Sequence, residues 1–435
     1  MNRRKYLISV ASLSTIAGCT SDSEDTENPS TDNTTKPTEE TDTQETTEEP
    51  ETETETETET PEPANLSVKD LSVSSPSVSA GESVQVTVEV INEGEEIGTR
   101  TIGLIVDNEE VDSKDVELEG DQSSTVEFEV ETDRPKTYSV SVGNLQTSFE
   151  TVATEVGGVI DSDTTWTTDE GPYTIVQTVQ VAEGATLTIE QGVNIWASEE
   201  NGRDSLFLLH GDIVAKGSSS DRITIDGRAG RRPTVFDADG SSPEAFLNAE
   251  YCLIRNTGPF WERGHGGFNL RRSELQNVGS SYIWYPYKDT SYRENIPRSE
   301  VNIEYNKFIN SGGFSVGHDS RTLNETVTVN IRHNVFKGGE EAVYGGLINN
   351  WNSLGKSETV VEYNSFHEMT NNVVLKLPSG YDNAGMTATN NYWGTTDEGT
   401  IGGMIYDEND DINSAGEIEF KPILDEPHPD TPTIS

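Results

Sequence analysis

Two stretches concentrate the side chains best suited to grip a ligand. GPFWERGHGGF at 258–268 and SSYIWYPYKDTSYRENIPRSE at 280–300 place Phe260, Trp261, Tyr282, Trp284, Tyr285, Tyr287 and Tyr292 close together, with Arg263, Lys288, Arg293 and Arg298 between them. Amphipathic rings beside cations suit flat sugar faces that carry carboxylates or sulfates. The expected glycan-binding set is therefore Trp261, His265, Trp284, Tyr285, Tyr287, Lys288, Tyr292 and Arg293. The competing use of the same rings is packing, as an insertion that covers the flank of the body. His265 and His318 are the remaining candidates for acid-base or metal work, and nothing in the sequence requires them to meet.

Four short units show what must position these side chains. IEYNKF at 303–308, IRHNVF at 331–336, VEYNSF at 361–366 and ATNNYW at 388–393 put Asn306, Asn334, Asn364 and Asn391 at separations of 28, 30 and 27 residues. A catalytic motif is used once per chain, whereas a unit recurring at this period signals a solenoid whose coils bury their apolar faces against one another. Val301, Ile303 and Tyr305 alternate as a strand does, and no long helical stripe accompanies them. Short strands and turns in coils of this length must stack strand on strand, giving a parallel β-helix. Asn suits the bend between two strands, because it tolerates the left-handed region and its amide can pair with backbone groups or with the Asn one coil away. Phe308, Phe336, Phe366 and Trp393, two residues on, are expected to point into the core. AEYCLI at 249–254 and LRRSEL at 270–275 extend the ladder upstream.

Two flanking stretches carry a resemblance. Residues 158–197, with Thr164, Thr165, Trp166, Pro172, Tyr173, the turn and strand from Gly184 to Glu190, then Gly192 and Val193, are followed by Gly211 and Gly217 in 206–227. Together they resemble the opening coils of right-handed parallel β-helix proteins of the pectin-lyase-like superfamily. NNYWGTTDEGTIGGMIYD at 390–407 with FKPIL at 420–424 resembles the closing coil. The resemblance covers about residues 155–425 and departs at Gln191, where the family usually has Pro. It implies a fold that also houses polysaccharide lyases and glycoside hydrolases. A lyase needs a base facing Ca²⁺ held by carboxylates, and a hydrolase needs grouped carboxylates. Here Glu304 and Glu362 stand singly on their strands and read as solvated surface, and no aspartate pair at i, i+2 invites a catalytic role. No catalytic residue, metal site or cofactor is expected, so an enzyme acting on an acidic polysaccharide is the second reading, and a purely structural surface component the third.

Residues 65–152 read as seven alternating strands with Gly, Asn, Asp and Pro turns, the pattern of an immunoglobulin-like β-sandwich. With the bend INEGEE at 91–96 and DNEEVDSKDVEL at 107–118, this segment resembles the CARDB adhesion-related domains of prokaryotic surface proteins. It lacks the Cys pair and core Trp of antibody domains.

The chain carries 78 acidic and 29 basic residues, a formal net charge of −49. From Asn65 onward the net charge is still −36. Such self-repulsion is tolerable where the Debye length is about 3 Å, at molar salt, so a halophile is the expected source. No basic patch is available for phosphates, which argues against nucleic acid as a partner. MNRRKYLISVASLSTIAGC, residues 1–19, has a basic start, an apolar stretch and small residues before a cysteine, the layout of an export signal. Arg3 and Arg4 resemble a twin-arginine signal, and Thr15 to Cys19 resembles a lipobox, which makes Cys19 the expected lipid anchor to the extracellular face of the membrane. Residues 20–64, ending in a Glu-Thr run, cannot bury enough apolar surface to fold and read as a disordered acidic stalk. Asn33, Asn65 and Asn324 lie in glycosylation sequons. Cys252 alone remains after Cys19, so no disulfide within the mature chain is expected and its role is that of a small buried hydrophobe. The expected molecule is all-β: a stalk, a sandwich, a right-handed parallel β-helix over 155–425 and a tail over 426–435, with surface glycan as partner.

Overall fold

The computed structural model describes residues 60–198, 205–227, 232–238, 245–262, 267–285, 301–318, 326–339, 345–369 and 373–434, with Glu262, Trp284, Tyr285 and Asn352 given by backbone alone. Residues 1–59, which include Cys19 and Asn33, and Asn324 lie outside the described residues.

The strand Val84–Asn92 reads VQVTVEVIN, and its odd positions are buried while the others face out. That period of two is what a half-buried strand requires. It lies between Leu66–Val73 and Ser123–Val130 in a three-stranded sheet, which faces a five-stranded sheet ordered Ser77–Ser79, Leu145–Val152, Thr137–Val142, Gly98–Val106 and Glu109–Leu118. Val86, Val88, Leu104, Phe128, Val140 and Phe149 fill the space between them. The INEGEE bend is held by one fully buried side chain, Asn92. Its amide donates to the carbonyls of Glu96 and Leu118, and its oxygen accepts from the N–H groups of Asn65 and Gly94. One residue, Ala153, separates the sandwich strand Leu145–Val152 from the first solenoid strand, Thr154–Ile160.

From there the chain winds as a right-handed parallel β-helix with three faces. The first is a nine-stranded parallel sheet running from Thr164–Trp166 to Ala384–Thr387. The second runs through Asn194–Ala197, Ile223–Asp226, Cys252–Arg255, Glu274–Gln276, Lys307–Ile309, Val335–Lys337 and Ser365–His367. The third runs through Phe207–Leu209, Phe236–Ala238, Phe260–Glu262, Ser281–Tyr285, Phe314–His318 and Ile348–Ser353. Some close approaches between coils leave no room for a side chain. A Cβ on Gly211 would stand 2.2 Å from the carbonyl oxygen of Ala182, which is why glycine occupies this turn.

Inside, rings stack from coil to coil. Phe308, Phe336, Phe366 and Trp393 are buried, with successive centroids 4.7, 5.4 and 5.0 Å apart. Phe207, Phe236 and Phe260 make a second column further upstream. At the corner between the first and second faces, Asn306, Asn334, Asn364 and Asn391 are fully buried. Each of the first three donates its main-chain N–H and its amide to the side-chain oxygen of the next, at 2.8–3.1 Å. Upstream the same position is held by Ser273, whose N–H donates to Asn306, and by Cys252, whose N–H donates to the Ser273 hydroxyl. Burial of Cys252 pushes its thiol up to about 12.

One expectation at this corner needs correction. The left-handed residue is the one before each Asn: Tyr305, His333, Tyr363 and Asn390 have φ between 53° and 60°. The Asn side chain instead satisfies buried backbone groups, which a left-handed residue facing outward could not do.

A helix of five residues, Glu398–Gly402, closes the last coils. Asp397 caps it by accepting from the Thr400 N–H at 2.7 Å.

Candidate functional site

Outward-facing residues of the third face fall into a row because parallel strands stack in register. Asp237 pairs with Trp261, Trp261 with Tyr282, Tyr282 with Ser315, Ser315 with Asn349 and Asn349 with Lys376. Trp261 and Tyr282 meet edge to face, with centroids 5.9 Å apart. Asn349 is fully buried and donates to the Ser315 hydroxyl at 3.2 Å, and among the described residues its carbonyl oxygen has no partner. Lys376 lies over the Tyr406 ring at 5.2 Å.

Two residues further along the same strands, Trp284 pairs with Gly317. The register shifts by one at the next coil, and Trp351 is the extra residue. A Cβ on Gly317 would stand 2.7 Å from the Trp351 indole nitrogen, so the absent side chain makes room for that ring. Trp261, Tyr282, Trp351 and the strand carrying Trp284 and Tyr285 thus share one face. His265, Tyr287, Lys288, Tyr292 and Arg293 lie outside the described residues. Trp351 was not singled out from the sequence, since its unit, LINNWNS, lacks the spacing of the repeat. His318 is fully buried at the end of its strand.

The first face carries a different row. Lys216, Glu250, Arg271, Glu304, Arg332 and Glu362 stand in register, alternating in sign toward the C-terminal end. Arg271 reaches Glu304 at 3.0 Å and Arg332 reaches Glu362 at 3.2 Å. Glu304 and Glu362 are therefore not lone solvated carboxylates, as the sequence suggested, but acceptors for arginines one coil upstream. Beside them Asn302 and Asn330 donate upstream, to Asn269 and Asn302 respectively.

The left-handed corner residues form an outer stack. Tyr305 and His333 are 4.8 Å apart and nearly parallel, and His333 and Tyr363 are 5.0 Å apart. Their faces are spent on one another, so this column offers a ligand only ring edges. The tail folds onto it: His428 meets both His333 and Tyr363 edge-on, and the Thr431 hydroxyl donates to the Tyr363 carbonyl.

Burial first, then the nearby His428, holds the His333 imidazole below its ordinary pKa, against smaller upward pulls from Asp430 and Glu304. A histidine depressed in the fold lends stability that is fully present above the unfolded value, about 6.5, and is lost as pH falls through the folded value. The thermal midpoint should therefore drop on acidification from about pH 7 toward 5. His333→Tyr, which continues the stack with a group that stays neutral there, should flatten that drop. An unchanged slope of midpoint against pH in the variant would remove His333 from the account.

Among the described residues, no three His, Cys, Asp or Glu side chains converge closely enough to hold a metal ion. With the geometry of both parts in view, the comparisons with known proteins bear on the sandwich. Residues 63–148 match the CARDB family model. The N-terminal domain is thus an immunoglobulin-like domain of CARDB type. A search of curated proteins finds no match. Among solved structures, a β-glucosidase from Erythrobacter marinus is 17% identical over 20% of this chain and 16% of its own, with a TM-score of 0.20. The Listeria innocua β-glucosidase in complex with glucose is 19% identical over 21% of this chain and 16% of its own, with a TM-score of 0.18. The chain spans about a sixth of the length of either enzyme, and likenesses this slight carry no argument.

Proposed function

We propose that this chain is an exported, lipid-anchored surface protein of a halophile, of the pectin-lyase-like β-helix type, which binds glycan or mediates adhesion through its solenoid without turnover. The observation that carries the reading is the third-face row, where Trp261, Tyr282 and Trp351 share one face with Lys376. Rings beside an ammonium group match the apolar faces and acidic groups of a sugar chain. A rigid scaffold supports it, since the row rests on hydrogen-bonded strands. The CARDB-type domain suits a spacer between anchor and solenoid, and Cys19 is the proposed anchor.

The test is retention of the full chain, in molar salt, on immobilised polygalacturonate, alginate and chondroitin sulfate. Trp261→Ala with Tyr282→Ala should weaken retention by tenfold or more, about 1.4 kcal/mol. Retention equal to the parent would withdraw the site. New reducing ends or unsaturated-uronate absorbance would replace binding without turnover by the lyase or hydrolase reading.

A further inference from the structure

The segment after the last coil runs back along the corner between the first and second faces and is tied down at few points. The Leu424 N–H donates to the Asn391 carbonyl at 3.0 Å, and the Thr431 hydroxyl donates to the Tyr363 carbonyl at 2.6 Å. Between them Asp425, Glu426, Pro427, Pro429 and Asp430 are exposed. The contact with the corner is made by Thr431, 4% exposed, and by the His428 ring, which lies edge-on to His333 at 4.9 Å and to Tyr363 at 5.0 Å.

Both histidines are held in a form that has no place for a second ring proton. The Asp430 N–H donates to His428 Nδ1 at 3.2 Å, so in this arrangement the ring proton sits on Nε2. His333 Nδ1 is shielded and has no partner among the described residues. A proton there would be buried with nothing to accept it. Other charges face the pair. On the solenoid side Arg332 adjoins His333 and repels a charged ring, while Glu304 and Glu362 in the adjacent coils already accept from Arg271 and Arg332. The Tyr305 and Tyr363 rings cover the two faces of His333. From the segment itself, an Asp430 oxygen lies 3.9 Å from His428 Nδ1 and attracts a charged His428, but it is 72% exposed and well solvated. That pair is also internal to the segment, so it holds the turn together without holding it to the corner.

We propose that residues 424–431 form an acid-released strap, clamped near neutral pH by the His428 ring on His333 and Tyr363 and lifting on acidification while the coils beneath stay folded. The released state accepts protons that the clamped state refuses, so release is favoured as pH falls. A histidine that takes its proton only after release raises the ratio of released to clamped chains roughly 25-fold between pH 7 and 5. The coils are expected to stay, because Asn306, Asn334, Asn364 and Asn391 hold them together and none of these titrates. Pro427, Pro429 and Pro432 restrict the freed segment and so lower the entropy that docking removes again. The strap does not depend on the third-face site.

The test is amide hydrogen exchange of the full chain in molar salt at pH 7 and pH 5, each rate corrected for the intrinsic effect of pH. Protection of the Thr431 N–H, which donates to the His428 carbonyl at 2.9 Å, should fall by about tenfold or more at pH 5. The N–H groups of Asn334 and Asn364 should keep theirs and serve as the internal standard. His428→Phe retains a ring that cannot charge, so Thr431 should remain protected at both pH values in that variant. Equal protection of Thr431 at pH 7 and 5 in the parent would overturn the proposal, as would a loss in His428→Phe equal to the parent's. Loss of protection at Asn334 and Asn364 in step with Thr431 would mean general acid unfolding and overturn it as well.

Discussion

Asn364→Ala should lower the thermal midpoint of the solenoid by roughly 5–15 °C, the equivalent of about 3–5 kcal/mol. The reason is the number of buried groups that one amide serves. Its oxygen accepts from the N–H and the amide of Asn334, and its own amide donates to the Ile331 carbonyl and to Asn391. Alanine leaves a main-chain donor and a main-chain acceptor buried without partners, and each such loss costs about 1–3 kcal/mol. Asn364→Ser should cost less than half as much. Ser273 already shows that a hydroxyl at this corner accepts the preceding coil's N–H, at 3.0 Å from Cys252. Equal losses for the two substitutions would mean that side-chain volume, not hydrogen bonding, sets the stability of the corner.

That ladder marks the boundary between what could and could not be read from the chain. Repetition made it visible: a buried Asn followed two residues later by Phe or Trp recurs often enough to announce stacked coils, and AEYCLI and LRRSEL extended the series to Cys252 and Ser273. What repetition cannot supply is the identity of neighbours across coils, because coil length varies. Arg271 and Glu304 lie 33 positions apart, whereas Arg332 and Glu362 lie 30 apart. No fixed spacing therefore reveals the alternating row, and Glu304 and Glu362 looked solitary. The left-handed residue is the one before each Asn, because the Asn side chain turns inward to the buried backbone groups that its amide was expected to meet. Trp351 escaped notice for a related reason. It is an extra residue in its strand, and its ring finds room only because Gly317, 34 positions earlier, has no side chain.

In dilute buffer the full chain should lose its β circular-dichroism signal and regain it above a few tenths molar salt. In the sandwich, part of the acidic charge sits on outward strand positions, where it serves no buried partner. The strand Glu109–Leu118 exposes Glu109, Glu110, Asp112, Asp115 and Glu117, with Lys114 as its single cation. Like charges two or three residues apart lie within about 10 Å of one another, the screening length at 0.1 M, but beyond the roughly 3 Å of 1 M salt. Salt acts in the other direction on the solenoid's outer row, where it weakens Arg271–Glu304 and Arg332–Glu362. Those pairs are partly exposed and contribute at most about 1 kcal/mol each. A net charge of −36 from Asn65 onward repels itself far more than two pairs attract, so relief of repulsion decides the sign. Neutralising Glu110, Asp112, Asp115 and Glu117 together as glutamine and asparagine should shift the sandwich transition to lower salt while leaving the solenoid transition where it was. A fully folded parent in dilute buffer would sink the halophile reading, and an unmoved sandwich transition in the neutralised variant would show that this strand is not where the repulsion resides.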